Sequence, residues 1–184
     1  MNAGMHALLT ENLKTLKLSA MKRDLESHLR QAKQDKLGYD EFLLNLTEAE
    51  VLTRKENGYK RRLSEAKFPL IKPLETFDFG AASDLDARLI KELSECEYVQ
   101  KARNVIFMGK SGTGKTHLAT GLGIQACKNG IRTRFVTGCG FANELIEARD
   151  EKALGRIIKR YAGYGLIIID ELGYVPFSKE GAQL

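Results

Sequence analysis

Apolar residues recur every three to five positions along the first third of the chain, which is the spacing of amphipathic helices. Gly38 breaks this pattern, and Asp40 is placed to cap a longer helix that runs toward Ala66. This part of the chain is therefore predicted to be helical, with almost no strand signal. The residues that carry the first helical stretches are Leu9, Leu13, Leu16, Met21, Leu25 and Leu29.

The pattern changes after the segment from Phe68 to Pro73, where two prolines restrain the backbone and remove hydrogen-bond donors. Beyond it, short apolar runs typical of strands alternate with helical spacings. This order predicts an α/β fold with a parallel sheet and right-handed crossovers. We expect a helical domain over residues 1–67, a linker over 68–83 and an α/β core over 84–184. The predicted strands are Asn104–Met108, Ile131–Thr137 and Leu166–Ile169.

The segment Gly109–Thr116 fits the phosphate-binding pattern G-x-x-x-x-G-K-[ST] at every fixed position. Its glycines allow a tight turn in which backbone N–H groups point at a polyphosphate. Lys115 is predicted to reach the β- and γ-phosphates of ATP, and the Thr116 hydroxyl is predicted to bind Mg²⁺. His117 is expected to lie beside the nucleotide and not to act as a base. The predicted nucleotide contacts are Gly109, Lys110, Ser111, Gly112, Thr113, Gly114, Lys115, Thr116 and His117.

A pair of acidic residues, Asp170 and Glu171, follows the strand Leu166–Ile169. This strand is rich in β-branched residues, as parallel strands buried on both faces are. The carboxyl end of such a strand lies at the ligand crevice of open α/β sheets. Asp170 is therefore predicted to hold Mg²⁺ through water, and Glu171 to orient or deprotonate the attacking water. Either half of the site could arise by chance, as a glycine-rich turn or a surface acidic pair, but their combination favours nucleotide binding.

Composition narrows the class of protein further. The chain has 184 residues, of which 43% are hydrophobic, enough for one full domain and a small addition. Residues 1–20 lack the apolar core of a signal peptide, and no run approaches the ~20 apolar residues of a membrane span. The three cysteines lack metal-ligand spacing. Reduced thiols in a cytoplasmic protein are therefore expected.

Basic residues are concentrated between positions 54 and 67, where six of them and two acidic residues give 6 − 2 = +4 of the chain's net charge of +5. Such a patch could neutralise phosphates of duplex DNA without reading its sequence. A solvated helix face with ion pairs such as Arg61–Glu65 is the alternative. The candidate DNA contacts are Arg54, Lys55, Lys60, Arg61, Arg62 and Lys67.

The aromatic pair Phe77 and Phe79 lies ahead of the core. It could form a wall of an adenine pocket, or it could simply pack within the fold. The sequence leaves both interpretations open.

Several of these segments together resemble the IstB family. They are the basic helical N-terminus, "FDF" (Phe77–Phe79), "GKSGTGKTHLA" (Gly109–Ala119) and "LIIIDELGYVPF" (Leu166–Phe177), and the resemblance covers nearly the whole chain. Many ATPases share the phosphate-loop motifs, the Walker A and Walker B motifs, whereas the continuation DELGY-x-P at Asp170–Pro176 is much more specific. IstB proteins are AAA+ ATPases that help the transposases of insertion sequences, and they are related to the DnaC-type helicase loaders.

The resemblance implies a P-loop NTPase core of AAA+ type that binds ATP and Mg²⁺, with N-terminal helices that help contact DNA. It also implies that ATP-bound subunits form a homo-oligomer on duplex DNA and bring the transposase to its target in DNA transposition. The family's core continues beyond the position of Leu184 with a polar sensor residue, an arginine finger and a lid. We therefore expect an incomplete sheet with an uncovered edge, and a chain that binds ATP–Mg²⁺ but hydrolyses it slowly.

Three alternatives stay open at this point. A DnaC-like helicase loader would use the same core with a helicase as its partner, although DELGY-x-P weighs against it. A small-molecule kinase would need an acceptor pocket and would have little use for a basic helical N-terminus. The chain could also bind nucleotide or partner subunits without any turnover.

Overall fold

The structure is a computed structural model that describes residues 3–80, 82 and 85–174. Its contacts divide the chain into two compact units, Met1–Gly58 and Tyr59–Leu184. The division falls inside a helix, whereas the sequence analysis placed the boundary between residues 67 and 68. No helix in the described part of the chain is long and apolar enough to cross a membrane.

The first unit is helical, as the spacing of its apolar residues predicts. Its elements are α1 (Ala3–Thr15), α2 (Ser19–Asp35) and the first part of α3 (Tyr39–Ala66). Helix α3 begins directly after Gly38, where the sequence pattern breaks. Leu13, Met21, Leu25 and Leu46 form the buried core, and Leu9, Leu18, Leu29 and Phe42 pack against it.

The second unit contains short helices around a small parallel sheet. Its two strands, β1 (Thr133–Thr137) and β2 (Leu166–Asp170), pair in parallel with Thr133 opposite Leu166 and Thr137 opposite Asp170. Helix α6 carries the largest share of buried residues in this unit, including Leu118, Leu122 and Ile124. The helices, besides the end of α3, are α4 (Ala87–Ser94), α5 (Glu97–Gln100), α6 (Lys115–Lys128), α7 (Gly138–Asp150) and α8 (Leu154–Ala162).

The predicted strand at Asn104–Met108 is not part of this sheet. Residues 104–108 have no regular secondary structure, and the side chains of Ile106 and Met108 are 79% and 88% exposed. A strand needs a neighbour for its backbone hydrogen bonds, and among the described residues β1 and β2 pair only with each other. The prediction of a strand before the phosphate loop was therefore wrong for this structure.

Strand β2 also differs from the expectation that both of its faces are buried. Leu166 and Ile168 are partly buried, but Ile167 and Ile169 are 37% and 40% exposed. Successive side chains of a strand point to opposite faces. Helix α6 covers the face of Ile168, whose Cδ1 atom lies 2.6 Å from the position of a Cβ added at Gly123. The described residues leave the other face partly open.

Candidate functional site

The loop Gly109–Gly114 and the start of α6 form the centre of the site. Gly112 and Gly114 have φ angles of 78° and 87°, in the left-handed region that glycine adopts without strain. Gly114 is the N-cap residue of α6, so the helix begins at Lys115. The backbone N–H groups of this first turn have no partner within the helix, which makes such an end suited to bind anions.

The side chain of Lys115 extends back to the beginning of the loop. Its Nζ donates hydrogen bonds to the carbonyl oxygens of Gly109 at 2.9 Å and Lys110 at 2.6 Å. The Thr113 hydroxyl donates to the same Lys110 carbonyl at 2.9 Å. The ammonium is thus held at the start of the loop, on an exposed part of the surface, where it can meet a phosphate group.

Thr116 and Asp170 are brought together although they are 54 positions apart in the sequence. The Thr116 hydroxyl donates a hydrogen bond of 2.9 Å to Oδ2 of Asp170, and Oδ1 accepts one of 3.0 Å from the backbone N–H of Glu171. The sequence predicts that both side chains bind one metal ion. Hydroxyl and carboxylate oxygens are ligands that suit Mg²⁺, which is usually bound by one or two protein groups together with phosphates and water.

Glu171 follows Asp170 with a φ angle of 57°, so the chain turns sharply where β2 ends. Non-glycine residues rarely adopt this conformation, and such positions cluster at functional sites. The side chain of Glu171 is exposed. Pro176, the last residue of the DELGY-x-P motif, lies outside the described residues.

The side chain of His117 contacts a segment that lies about forty positions earlier in the chain. Its Nε2 is 3.1 Å from the carbonyl oxygen of Pro73 and 3.2 Å from the Thr76 hydroxyl. Its ring also meets the ring of Phe77 edge-on, with centroids 5.2 Å apart. The rings of Phe77 and Phe79 also contact each other, with centroids 4.9 Å apart. Local sequence contained no signal for the contacts of Pro73 and Thr76, because their partner lies about forty positions away.

The basic run, which comprises residues 54–67, makes more than one kind of contact. Arg62 is partly buried, and its Nε donates a hydrogen bond of 2.8 Å to the carbonyl of Cys127 in the last turn of α6. Arg61, one residue earlier, is exposed and lies 4.0 Å from Glu65. Consecutive helical residues point about 100° apart, so Lys60, Arg61 and Arg62 cannot share one face. Lys55, Lys60 and Lys67 are exposed and, among the described residues, have no acidic partner within ion-pair distance.

Arg54 belongs to a buried contact that sequence analysis missed. Oε2 of Glu50, whose residue is only 4% exposed, accepts hydrogen bonds from the backbone N–H groups of Ala20 and Met21 at the start of α2. Arg54 donates to the other oxygen of Glu50 at 2.8 Å and to the carbonyl of Lys17. Burial opposes ionisation of Glu50, but the hydrogen bonds from Arg54, Met21 and Ala20 outweigh it and lower the pKa of this carboxyl. A glutamate on the apolar face of α3 was the only signal.

A glycine-rich loop at a helix start, its lysine, and a threonine bonded to an aspartate at a strand end define a P-loop NTPase with an α/β fold. The family model described as IstB-like ATP binding protein matches residues 11–184. The chain therefore belongs to the IstB-like ATP-binding protein family, as its motifs indicated.

Individual relatives agree with this assignment. A protein of Pseudomonas aeruginosa named as the ATP-binding protein of insertion sequence IS21 is 36% identical over 94% of this chain and 65% of its own length. A protein of Bacillus thuringiensis named likewise for insertion sequence IS232 is 34% identical over 96% of this chain and 70% of its own. One of Geobacillus stearothermophilus, named for insertion sequence IS5376, is 33% identical over 80% of this chain and 59% of its own. The chain thus spans about two thirds of the length of these curated relatives.

Proposed function

We propose that this chain binds ATP with Mg²⁺ and acts as an ATP-dependent helper in the transposition of an insertion sequence. The single observation that carries the nucleotide part is the 2.9 Å contact between Thr116 and Asp170 beside the phosphate loop. It joins two motifs that are separate in sequence into one site. Membership of the IstB-like family and the names of the relatives support the link to insertion sequences.

Each residue of the site has a role in this proposal. The loop N–H groups and the Lys115 ammonium bind the β- and γ-phosphates of ATP through charge-assisted hydrogen bonds. Thr116 and Asp170 hold Mg²⁺, which neutralises charge on the phosphate oxygens when it is bound. Asp170 is already oriented by the hydrogen bond from the Glu171 backbone. The Glu171 carboxylate orients the water that attacks the γ-phosphate, so that ATP and water yield ADP and phosphate.

We further propose that ATP-bound copies of the protein assemble on duplex DNA and bind the transposase. The exposed cations Lys55, Lys60, Arg61 and Lys67 support the DNA contact, since exposed lysine and arginine side chains bind phosphates regardless of base sequence. Arg54 and Arg62 support it less, because their guanidinium groups already bond protein oxygens.

The test is to measure ATP binding and phosphate release with and without duplex DNA. We expect DNA to raise ATP affinity or turnover, and the effect to be lost in Lys115→Ala. Glu171→Gln should keep ATP binding, because it leaves the phosphate loop intact. A protein that binds ATP equally well with and without DNA, and whose turnover DNA does not change, would contradict the transposition role but not the nucleotide site.

A further inference from the structure

One face of α6, together with its cap residue, contacts a single short segment of the chain. This segment, residues 73–79, is here called the strap. The contacting residues are three or four positions apart, so they lie on one side of the helix. They are Gly114, His117, Gly121, Gln125 and Lys128.

The contacts of the strap run along α6 from the phosphate loop to the far end of the helix. Gly121 lies against Leu74, whose Cδ2 atom is 2.6 Å from the position that an added Cβ would take. At the far end, the Glu75 carboxylate accepts hydrogen bonds from Gln125 at 3.5 Å and Lys128 at 3.2 Å. The strap is therefore held along α6 both by packing and by polar contacts.

His117 makes the polar contacts nearest to the phosphate loop. The Thr76 hydroxyl donates its proton to the Pro73 carbonyl at 2.8 Å, which leaves the hydroxyl oxygen free to accept a hydrogen bond. Nε2 of His117 faces both of these oxygens, at 3.1 Å and 3.2 Å. It can bond them only as an N–H donor, so the geometry assigns the proton to Nε2.

These hydrogen bonds lie next to the aromatic end of the strap. The Phe77 ring meets the His117 ring edge-on, and its Cε2 lies 2.7 Å from where a Cβ on Gly114 would stand. Phe77 in turn contacts Phe79, which is 37% exposed. Phe77 is therefore held directly against the N-cap residue of α6, beside the loop that is proposed to bind phosphates, and Phe79 packs on Phe77.

We propose that His117 is a positioning residue that fastens the strap to α6 and so holds Phe77 and Phe79 where the base of a bound nucleotide can contact them. This inference rests on the proposed nucleotide site and adds to it the source of base recognition. Stacking between a base and an aromatic side chain contributes enough to change affinity by roughly tenfold or more. The strap should then discriminate a nucleoside triphosphate from a bare triphosphate chain, which occupies only the loop.

The experiment compares the affinity of the full chain for ATP with its affinity for inorganic tripolyphosphate, both in the presence of Mg²⁺. We expect His117→Ala to weaken ATP binding by about tenfold, the scale of one lost stacking contact, and to leave tripolyphosphate binding unchanged. His117→Gln should restore ATP binding to within about threefold, because a glutamine amide can donate to the same oxygens. His28→Ala, in the other unit of the chain, is the matched control and should change neither affinity.

A second variant keeps the test decisive if His117→Ala does not fold. Phe79→Leu retains an apolar side chain but removes the aromatic face. It should weaken the binding of ATP and leave the binding of tripolyphosphate unchanged. Equal losses for ATP and tripolyphosphate in these variants, or unchanged ATP binding, would overturn the inference. Two other results would refute the nucleotide site itself. One is a wild-type chain that binds neither ATP nor tripolyphosphate, and the other is a Lys115→Ala variant that binds both normally.

Discussion

The phosphate loop and the basic run of α3 are both short segments rich in groups that attract phosphate, but the fold uses their side chains differently. At the end of the loop, Lys115 donates a hydrogen bond to the Gly109 carbonyl, and Thr116 donates one to the Asp170 carboxylate. All of these groups lie within the candidate site. In the basic run, Arg62 bonds the end of α6, whereas Arg61 stays on the surface.

The difference shows what each kind of sequence signal specifies. The loop motif specifies a backbone conformation, because glycines with positive φ and a lysine at a fixed position are needed for one geometry. A cluster of charges specifies only a composition. The partner of each charge is chosen by whichever helix end or carboxylate the fold brings near it.

The largest expected effect tests the loop side of this comparison. Lys115→Ala should weaken ATP binding by about 100-fold or more, because a charged group that makes several phosphate contacts contributes roughly 3 kcal/mol. Lys115 is not part of the buried core, so thermal stability should change little. A fluorescent ATP analogue measures the affinity. Unchanged binding in a folded variant would show that the loop is not the nucleotide site.

The next effect tests whether neighbouring arginines of the basic run really differ. Arg62→Met should lower the free energy of unfolding by about 1–3 kcal/mol, since it removes a charged hydrogen bond to the Cys127 carbonyl. Arg61→Met is the matched control and should change it by less than about 0.5 kcal/mol, because its pair with Glu65 is exposed. Urea titration measures both. Equal losses of stability in the two variants would show that Arg61 and Arg62 do not differ in their contribution.

The contact between Arg54 and Glu50 predicts a response to acid in the first unit. The pKa of Glu50 is lower in the folded protein than in the unfolded chain, so its contribution to stability is complete above about pH 4.3. That contribution is lost as the pH falls through the folded-state value.

Glu50→Gln should lower the free energy of unfolding by about 1–3 kcal/mol at pH 7. It should also make that free energy less dependent on pH below 5. The exposed Glu48→Gln is the control and should have a much smaller effect. Urea titrations at pH 7 and pH 4, followed by circular dichroism, make the comparison. An identical pH dependence in wild type and Glu50→Gln would contradict the assigned role of Glu50.

The smallest expected effect tests whether the basic run binds DNA. Changing Lys60 and Arg61 together to Glu should reduce the slope of log affinity for duplex DNA against log salt by about 1.8, at ~0.9 for each lost phosphate contact. Lys22 and Lys33, two exposed residues of α2, provide a control with the same change of charge. Equal changes of slope in the two double variants would indicate a general charge effect and no defined DNA surface.

Much of the fold could be predicted from the sequence where a local pattern carries the signal. The helices of the first unit, the start of α3 after Gly38, and the end of α6 before Gly130 follow from apolar spacing and glycine. The segment 104–108 could not be predicted in this way. An apolar run has the composition of a strand, but a strand also requires a pairing partner, and pairing is not written in the run itself.

The candidate site divides along the same line. By itself, the sequence determined the phosphate loop, its lysine and the acidic residues at the end of β2, because these depend on residue types at fixed local positions. Only the tertiary structure decided that Thr116 meets Asp170, that His117 bonds Pro73 and Thr76, and that Glu50 caps α2. Each of these contacts joins residues 30 to 54 positions apart. Such pairings depend on how helices and strands pack, since a buried polar group bonds whatever partner the packing places within reach.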